Sequence, residues 1–398
     1  MIFLKNRPFR HLFLGRVLSV LADSIMFFSL LKWIEIQSGD TSSFTCFYVA
    51  YYLPATLLAL PIGTWIENKT LQKVMIFSDG IRVVVLLSFP LVMNLISYQW
   101  TYLLLLIVSV LGLFFMPANQ SLLPYIVDNE NRAKANSLFQ IGFTVVKIIG
   151  QVTTAFLIKL MIPISTLLLV SAGLLFLSLL FIRKITPLIK KETTVKQSQI
   201  KMMKEGILYI WHHPQFKGLF IFLAIAMLIA TSIDLVLISF LTNIMRVGVE
   251  NLSFIGTASL LGIMIGALLV PKWYQKIDRK WLIIPPLFAL SISVGSLLFI
   301  NNWLWILPFF FIQGIALGGF NVTFVTYLQD EVQRENYTRT FSLYNMIATS
   351  VALPGILGVG FLLSKIDTIN TIFMMASVML LLGIFGCYFI PRLGKGRS

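Results

Sequence analysis

The chain has 398 residues, of which 58% are hydrophobic and only 12% charged, and it carries a formal net charge of +15. Soluble domains have roughly 45–50% apolar and about 25% charged residues, so this composition excludes a water-soluble globular protein. The charge does not predict nucleic-acid binding, because the Lys and Arg residues lie in short turns between apolar runs. A multi-pass membrane protein is indicated.

The chain begins with a basic and then apolar segment that resembles a signal peptide, but Arg16 interrupts it and many similar segments follow. We therefore interpret the first segment as an uncleaved membrane span. A helix needs about 20 predominantly apolar residues to cross a membrane. Twelve stretches meet this requirement: residues 11–32, 44–66, 73–95, 100–124, 135–158, 163–182, 217–242, 252–275, 281–300, 303–328, 340–363 and 369–390.

The distribution of Lys and Arg predicts how these spans are oriented. Basic residues concentrate before the first span, in alternate turns, in the long break after the sixth span, and in the tail. The opposite turns hold only Lys32, Lys159, Arg246 and Lys365. Because cytoplasmic turns are enriched in Lys and Arg, we expect both termini in the cytoplasm of a multi-pass protein of the cell membrane.

One long polar break divides the spans into two sets of six. We expect residues 1–183 to form an N-terminal bundle, 184–216 a basic cytoplasmic linker, and 217–398 a C-terminal bundle. The linker is either a solvated connector or a contact for anionic lipid headgroups. The halves resemble each other, because Glu130-Asn131 recurs as Glu335-Asn336 at the corresponding turn. The predicted fold is an all-α membrane protein with twelve transmembrane helices in two pseudo-symmetric six-helix bundles, as in many secondary transporters.

Few residues are placed for enzyme or metal chemistry. The two cysteines, Cys46 and Cys387, lie in apolar runs and predict no disulfide framework. The histidines lie near predicted cytoplasmic ends with no cysteine nearby, so we expect no metal site. No Gly-x-x-x-x-Gly-Lys-Ser/Thr loop occurs, which excludes ATP as the direct energy source. We expect neither an enzyme nor a catalytic residue, and no cofactor.

The turn between the second and third spans carries part of a family signature. Gly63 is followed four residues later by an acid, Glu67, and Lys69 and Lys73 supply positive charge nearby. With this turn and the six-plus-six plan, the chain resembles the major facilitator superfamily over nearly its whole length. The resemblance implies a secondary transporter with a cytoplasmic gate at this turn. The chain differs from the family at Asn68, where a basic residue is usual.

Other stretches resemble the exporter branch of that superfamily, which holds macrolide-efflux and enterobactin-exporter-type proteins. They are Ser19 and Asp23 in the first span, and the runs at residues 78–82, 115–118 and 135–138. The resemblance implies export of a small molecule, usually driven by protons. The fifth span departs from the exporter pattern at Gln151, where a Gly-Pro pair would continue the motif.

Ionisable side chains inside a span are unfavourable unless paired or hydrated, so each is a candidate for function. Asp23 and Lys147 lie at similar depth in the first and fifth spans, and the resemblance implies that these helices are neighbours. We expect an Asp23–Lys147 pair, either as a proton or substrate switch or as a permanent structural pair. Asp234, in the seventh span, is either a second proton or substrate site or a hydrated residue near the outer mouth.

Two further charges, Asp79 and Arg82, share one face of the third span because they are three residues apart. They are expected to form a structural pair or, alternatively, a proton relay. Arg16, near the inner end of the first span, is expected to extend towards lipid headgroups. The predicted cytoplasmic gate consists of Gly63, Glu67, Lys73, Asp79 and Arg82.

Polar residues also occur in the two spans that, by the resemblance, line the substrate cavity. Amides and hydroxyls among aromatic residues suit an amphiphilic organic substrate, although the same groups also hold helices together. The candidates are Asn119 and Gln120 in the fourth span, and Gln313, Asn321, Thr323 and Tyr327 in the tenth.

These observations predict a secondary transporter that exports a small organic molecule, such as a drug or macrolide-like compound, in exchange for protons. One alternative is export of an endogenous siderophore or similar metabolite. Another, from a different class, is a membrane sensor or scaffold that does not transport. The expected partners are the small-molecule substrate and the lipid bilayer, with neither nucleic acid nor an obligate protein partner, and the proton gradient supplies the energy.

Overall fold

The computed structural model describes most of the chain: residues 6–67, 70–127, 129–185, 208, 211–212, 214–274, 276–332, 340, 343–344, 347–348, 350–390 and 393. The fold is 86% helix, and no strand occurs in these ranges. The predicted all-α class is therefore confirmed. Contacts divide the chain into two compact units, Met1–Lys196 and Gln197–Ser398, and this division falls inside the predicted linker.

The N-terminal unit contains six long helices, one for each of the first six predicted spans. The helix α1 begins after Asn6, whose side chain accepts a hydrogen bond of 2.9 Å from the backbone N–H of Phe9. At the next turn, the Asp40 carboxylate accepts one of 2.8 Å from Ser43 N–H and caps the second helix. The helices are α1 Arg7–Gln37, α2 Thr41–Glu67, α3 Leu71–Val92, α4 Trp100–Leu122, α5 Asn129–Lys159 and α6 Ile164–Arg183.

The helices of the C-terminal unit are interrupted more often than those of the N-terminal unit. Its predicted spans correspond to one or two helices each, with a π-helical turn at Phe240–Ile244 and a 3-10 turn at Trp303–Trp305. The helices are α7 Pro214–Ala230, α8 Ile233–Ser239, α9 Asn251–Leu269, α10 Pro271–Tyr274, α11 Lys280–Ile283, α12 Pro285–Ser296, α13 Ile306–Glu331, α14 Ala352–Lys365 and α15 Thr368–Phe389.

The seventh predicted span, 217–242, lies within one apolar segment of membrane-crossing length, Phe216–Ile244, but its helix is interrupted. It breaks between α7 and α8, at Thr231 and Ser232. Both hydroxyls donate to the carbonyl of Leu228, at 3.2 and 3.1 Å. Hydroxyl groups that bond to the backbone of the preceding turn compete with the regular helical pattern, and two in succession favour a break.

The lengths of the helices fit a membrane. Within the described ranges, eight helical segments are long and apolar enough to cross a bilayer. Three shorter apolar helices, Trp100–Phe115, Lys280–Ser296 and Ala352–Lys365, occupy predicted spans, and α2 with its 27 residues occupies the remaining one. The described helices are thus compatible with the twelve-span fold.

Helix packing repeats between the two units. In the N-terminal unit the neighbouring pairs are α1–α6, α3–α6, α2–α4, α3–α4 and α1–α5. The same pairs occur in the C-terminal unit when α7 and α8 replace α1 and the later helices follow in order: α7/α8–α15, α12–α15, α9–α13, α12–α13 and α7/α8–α14. This repetition of packing, and not only of sequence, supports the pseudo-symmetric design.

The closest packing joins α9 to α13 through glycines. A Cβ atom added to Gly262 would lie 2.1 Å from the carbonyl oxygen of Phe311, and one added to Gly318 would lie 2.1 Å from that of Ile263. Small residues let two membrane helices bring their backbones together, where dispersion contacts hold them. These glycines therefore hold α9 against α13 within the C-terminal unit.

Candidate functional site: a charged cluster in the N-terminal unit

Four charged residues from two helices meet inside the N-terminal unit. Arg82 on α3 extends one guanidinium nitrogen to within 3.2 Å of the Oδ1 atom of Asp79 on the same helix. Its other terminal nitrogen contacts Oδ1 of Asp23 on α1. The Arg82 and Asp79 side chains are 3% and 0% exposed, whereas 37% of the Asp23 side chain is exposed. Asp23 is therefore the more exposed of the two carboxylates in this cluster.

The local sequence explains the geometry of this cluster. Asp79 and Arg82 are three residues apart, so their side chains lie on the same face of α3. Ser178 of α6 donates a hydrogen bond of 2.9 Å to Oδ2 of Asp79. Asp79 thus has a partner on each carboxylate oxygen, as a fully buried carboxylate requires. The predicted Asp79–Arg82 pair occurs, with Ser178 as an additional partner that the sequence did not reveal.

Arg16 adds a second buried cation nearby. Its guanidinium lies over two aromatic rings, 5.2 Å from the centroid of Phe115 and 5.0 Å from that of Phe143. Its charge also interacts with that of Asp79. The expectation that Arg16 extends to lipid headgroups is wrong, because the residue is only 9% exposed and the ring faces stabilise its charge in place of water. With both carboxylates ionised, Arg16, Arg82, Asp23 and Asp79 sum to zero charge.

Aromatic rings surround the turn of α1 that follows Asp23 in the sequence. Phe27 follows Asp23 by four residues and therefore lies on the same face of the helix. Its ring centroid lies 5.0 Å from Tyr51, 5.2 Å from Phe47 and 5.9 Å from Tyr48, all on α2. We call these four residues the aromatic cluster. The sequence analysis missed it, although the repeat of aromatic residues four apart on α2 was a usable signal.

The predicted Asp23–Lys147 pair does not form. Asp23 is paired with Arg82, while Lys147 on α5 is exposed and makes no ion pair with a described residue. The two residues were matched by depth alone, and depth does not determine which direction a side chain takes around its helix. Asp234 is exposed and lies in the first turn of α8, next to the break in the seventh span.

The described residues of the predicted cytoplasmic gate lie in different surroundings. Gly63 and Glu67 lie in α2, but their side chains fall outside the described residues. Lys73 is exposed at the beginning of α3 and belongs to no ion pair within the described ranges. Asp79 and Arg82 are buried in the charged cluster and engage α1 and α6 of their own unit. The assignment of these residues to a cytoplasmic gate stays a prediction.

Another arginine, Arg279, is buried at the turn between the eighth and ninth predicted spans in the C-terminal unit. The guanidinium of Arg279 lies 2.9 Å from Glu331 and 3.6 Å from Asp330, at the end of α13. The Tyr274 hydroxyl donates a hydrogen bond of 2.7 Å to Asp330. The rings of Tyr274 and Tyr327 lie 5.3 Å from the guanidinium. The sequence analysis did not select Asp330 or Glu331.

The polar residues predicted to line a substrate cavity have different environments. In α4, Asn119 is 4% exposed and its Oδ1 atom has no hydrogen-bond partner among the described residues, while the Gln120 side chain lies outside them. In α13, Gln313 accepts a hydrogen bond of 3.1 Å from Ser259 of α9 and so joins two helices. The others are Asn321, which is half-buried, Thr323, which is fully buried, and Tyr327, which packs against Arg279 and Phe216.

Apolar helices of membrane-crossing length, repeated packing in two units, and a charged cluster inside the first define a multi-pass membrane transporter. The sequence profile of the Major Facilitator Superfamily matches residues 12–254 and 219–398. The chain belongs to the Major Facilitator Superfamily and is a secondary transporter.

Individual relatives agree with this family. The chain is 25% identical over 362 residues to YvqJ of Bacillus subtilis (strain 168), described as an uncharacterized MFS-type transporter, covering 88% of this chain and 84% of that protein. The fold of the present chain is similar to that of the nucleoside transporter NupG, with a TM-score of 0.77 and 12% identity. The match covers 96% of this chain and 98% of NupG. The fold is also similar to that of a bacterial homologue of the human lysosomal transporter Spinster. The TM-score is 0.73 and the identity 13%, and the match covers 96% of each chain. At these identities the solved structures show the fold alone.

Proposed function

We propose that this protein exports a small amphiphilic organic molecule in exchange for protons, with Asp23 as the coupling carboxylate. The observation that carries this proposal is the ion pair between the partly exposed Asp23 and the buried Arg82. Protonation of Asp23 removes the charge that holds this pair together. The four-residue cluster then changes from neutral to a net charge of +1, which is unfavourable in a low-dielectric interior. A proton and a substrate can therefore act on the same group.

The aromatic cluster supports the choice of substrate class. Its rings begin one turn from Asp23, and two of them, Phe27 and Tyr51, are partly exposed while Phe47 and Tyr48 pack behind them as a buried apolar wall. Such a combination binds organic molecules that have an apolar body and a polar or positively charged group. A drug or macrolide-like compound has this character.

The direction of transport and the cellular location rest on the sequence. Residues 78–82, which contain both Asp79 and Arg82, are among the stretches that resemble the exporter branch. The concentration of Lys and Arg in alternate turns supports a cell-membrane location with both termini in the cytoplasm. Asp234 and Lys147 are exposed charges that remain candidates for a second proton or substrate contact.

Inverted membrane vesicles test this proposal. An inwardly acidic pH gradient is expected to drive uptake of a fluorescent amphiphilic dye, such as ethidium, by the wild-type protein. Asp23→Asn should abolish the gradient-driven uptake, because the amide cannot bind and release a proton. Asp40→Asn is the matched control, since Asp40 caps α2 outside the charged cluster. Normal gradient-driven uptake by the Asp23→Asn protein would remove Asp23 from the coupling role.

A further inference from the structure

A cavity of about 890 Å³ opens between α12 and α15 in the C-terminal unit. These two helices form most of its walls. One end of the cavity is formed by the turn at residues 298–302 and by Trp305. Ligand pockets usually measure roughly 300–1,000 Å³, so this cavity can hold a substantial part of an amphiphile. It is separate from the charged cluster and the aromatic cluster, which belong to the N-terminal unit.

The walls of the cavity are apolar and face outward from the unit. Ile292 on α12 is 61% exposed and Phe373 on α15 is 62% exposed, and Phe299 at the turn is 85% exposed. The two helices approach each other deeper in the cavity, where the Ser291 hydroxyl donates a hydrogen bond of 2.8 Å to the carbonyl of Ala376. Gly295 and Ala376 also lie close together, since a Cβ atom added to Gly295 would lie 3.5 Å from the Cβ of Ala376. The result is a groove with an apolar floor and an open side.

Polarity in the groove changes from one end to the other. Asn301 and Asn302 are exposed at the turn, next to the indole of Trp305, which is 67% exposed. Trp side chains prefer the membrane–water interface, where one part of the ring is wet and the rest is apolar. The opposite end, at Leu380, is apolar. The polar end therefore lies at the membrane surface and the apolar end lies within the hydrocarbon core.

The groove is short enough to lie within one leaflet of a bilayer. Its lining on α15 runs from Phe373 to Leu380, about 10 Å along the helix at 1.5 Å per residue. The hydrocarbon core is about 30 Å thick, so half of it is about 15 Å. An acyl chain of a single leaflet would therefore run along the whole groove, with its headgroup beside the asparagines.

The charge of the lining selects the type of headgroup. None of the residues that line the groove, all within the described ranges 291–309 and 373–380, is an Asp, Glu, Lys, Arg or His. An anionic headgroup would have no cation to bind there, whereas amide and hydroxyl groups can hydrogen-bond a phosphate or an ester without altering the charge balance. We propose that this groove binds a zwitterionic phospholipid, with an acyl chain between α12 and α15. The basic turns lie at the opposite ends of these spans, which places the lipid in the outer leaflet.

Photo-crosslinking in bilayer nanodiscs tests this site on the full-length protein. The discs contain a photoreactive phosphatidylethanolamine or, separately, a photoreactive phosphatidylglycerol with the same acyl chains. Labelled peptides are then mapped by mass spectrometry. Phosphatidylethanolamine is expected to label residues 291–309 and 373–380 more strongly than phosphatidylglycerol does. Equal labelling by the two lipids, or stronger labelling by the anionic one, would contradict the proposed headgroup.

Variants separate a defined site from general contact with lipid. Ser377→Phe fills the groove and should reduce its labelling by about tenfold, since displacing even two CH₂ groups has an effect of this size. Val378→Phe is the matched control, because Val378 is the adjacent exposed residue of α15 and does not line the groove. Asn301→Asp, on the exposed turn, should also reduce labelling by placing a carboxylate beside the lipid phosphate. Labelling that is unchanged in both Ser377→Phe and Asn301→Asp would overturn the proposal.

Discussion

Arg82 and Asp23 come from different helices, α3 and α1, and form an ion pair within the N-terminal unit. Arg82 also binds Asp79, so a single guanidinium holds one fully buried carboxylate and one that is partly exposed. The buried carboxylate keeps Arg82 in place when the exposed one changes its protonation state. This division of roles is the physical basis of the proposed coupling.

Removal of Arg82 should destabilise the protein strongly. Arg82→Met leaves the fully buried Asp79 without its cation, and breaking a buried ion pair from one side costs about 3–5 kcal/mol. Equilibrium unfolding of the purified protein in mixed micelles measures this free energy. Adding Asp79→Asn should restore part of the loss, because no uncompensated buried charge remains.

The control for this prediction lies on the same helix. Lys73 is exposed and outside the ion pairs of the described residues, so Lys73→Met should change the free energy of unfolding by no more than about 0.5 kcal/mol. Equal losses in the Arg82 and Lys73 variants would show that the cluster is not what stabilises the unit.

The hydroxyl of Ser178 should matter more than another hydroxyl on the same helix. Ser178→Ala removes a hydrogen bond to a charged carboxylate and should cost about 1.5–3 kcal/mol. Ser171 donates a hydrogen bond of 3.2 Å to the neutral carbonyl of Ala22, and Ser171→Ala should cost about 0.5–1.5 kcal/mol. Unfolding curves of the two variants compare these losses directly. The reverse order would mean that Asp79 does not depend on Ser178.

Glycine replacement should have opposite effects at two positions in the C-terminal unit. A Cβ atom at Gly262 meets the Phe311 carbonyl at 2.1 Å, so Gly262→Ala should separate α9 from α13 and cost at least about 1–3 kcal/mol. At Gly358, in α14, no atom lies within 4 Å of an added Cβ. Gly358→Ala should stabilise the helix by up to about 1 kcal/mol, because alanine has the higher helix propensity. Thermal unfolding of both variants provides the measurement.

The cap of α2 should weaken in acid. Burial alone would raise the pKa of Asp40, but hydrogen bonds from Ser43, Ser38 and Ser42 outweigh it and lower the pKa to about 2. An acid with a lowered pKa stabilises the folded state above its unfolded pKa, near 3.9, and this contribution disappears as the pH falls through about 2. The stability difference between wild type and Asp40→Asn should therefore shrink as the pH falls from about 4 to 2. A pH-independent difference would contradict this account.

Much of the fold could be predicted from sequence because the membrane imposes its own length scale. Apolar runs of about 20 residues identify the spans, and the described helices occupy the same stretches. The break in the seventh span was missed because it arises from two hydroxyls that bond to Leu228, and hydropathy does not register such bonds. Hydropathy describes the composition of a span but not the regularity of its backbone.

The candidate site was predictable only where its residues share one helix. The spacing of Asp79 and Arg82 gave their pairing directly. The partner of Asp23 was assigned to Lys147 because both lie near mid-span, whereas Arg82 reaches Asp23 from α3. Whether two residues on different helices form a pair depends on how each helix is rotated about its axis. A single sequence does not specify that rotation. Arg16 was misplaced for the same reason, since its aromatic partners lie on α4 and α5.

The most direct test of Asp23 as the coupling carboxylate is a measurement of proton movement in proteoliposomes that enclose a pH-sensitive dye. A gradient of ethidium imposed on the wild-type protein should move protons in the opposite direction. Asp23→Asn should move no protons, whereas the control Asp40→Asn should move them as the wild-type protein does. Substrate-driven proton movement that persists in Asp23→Asn would contradict the account.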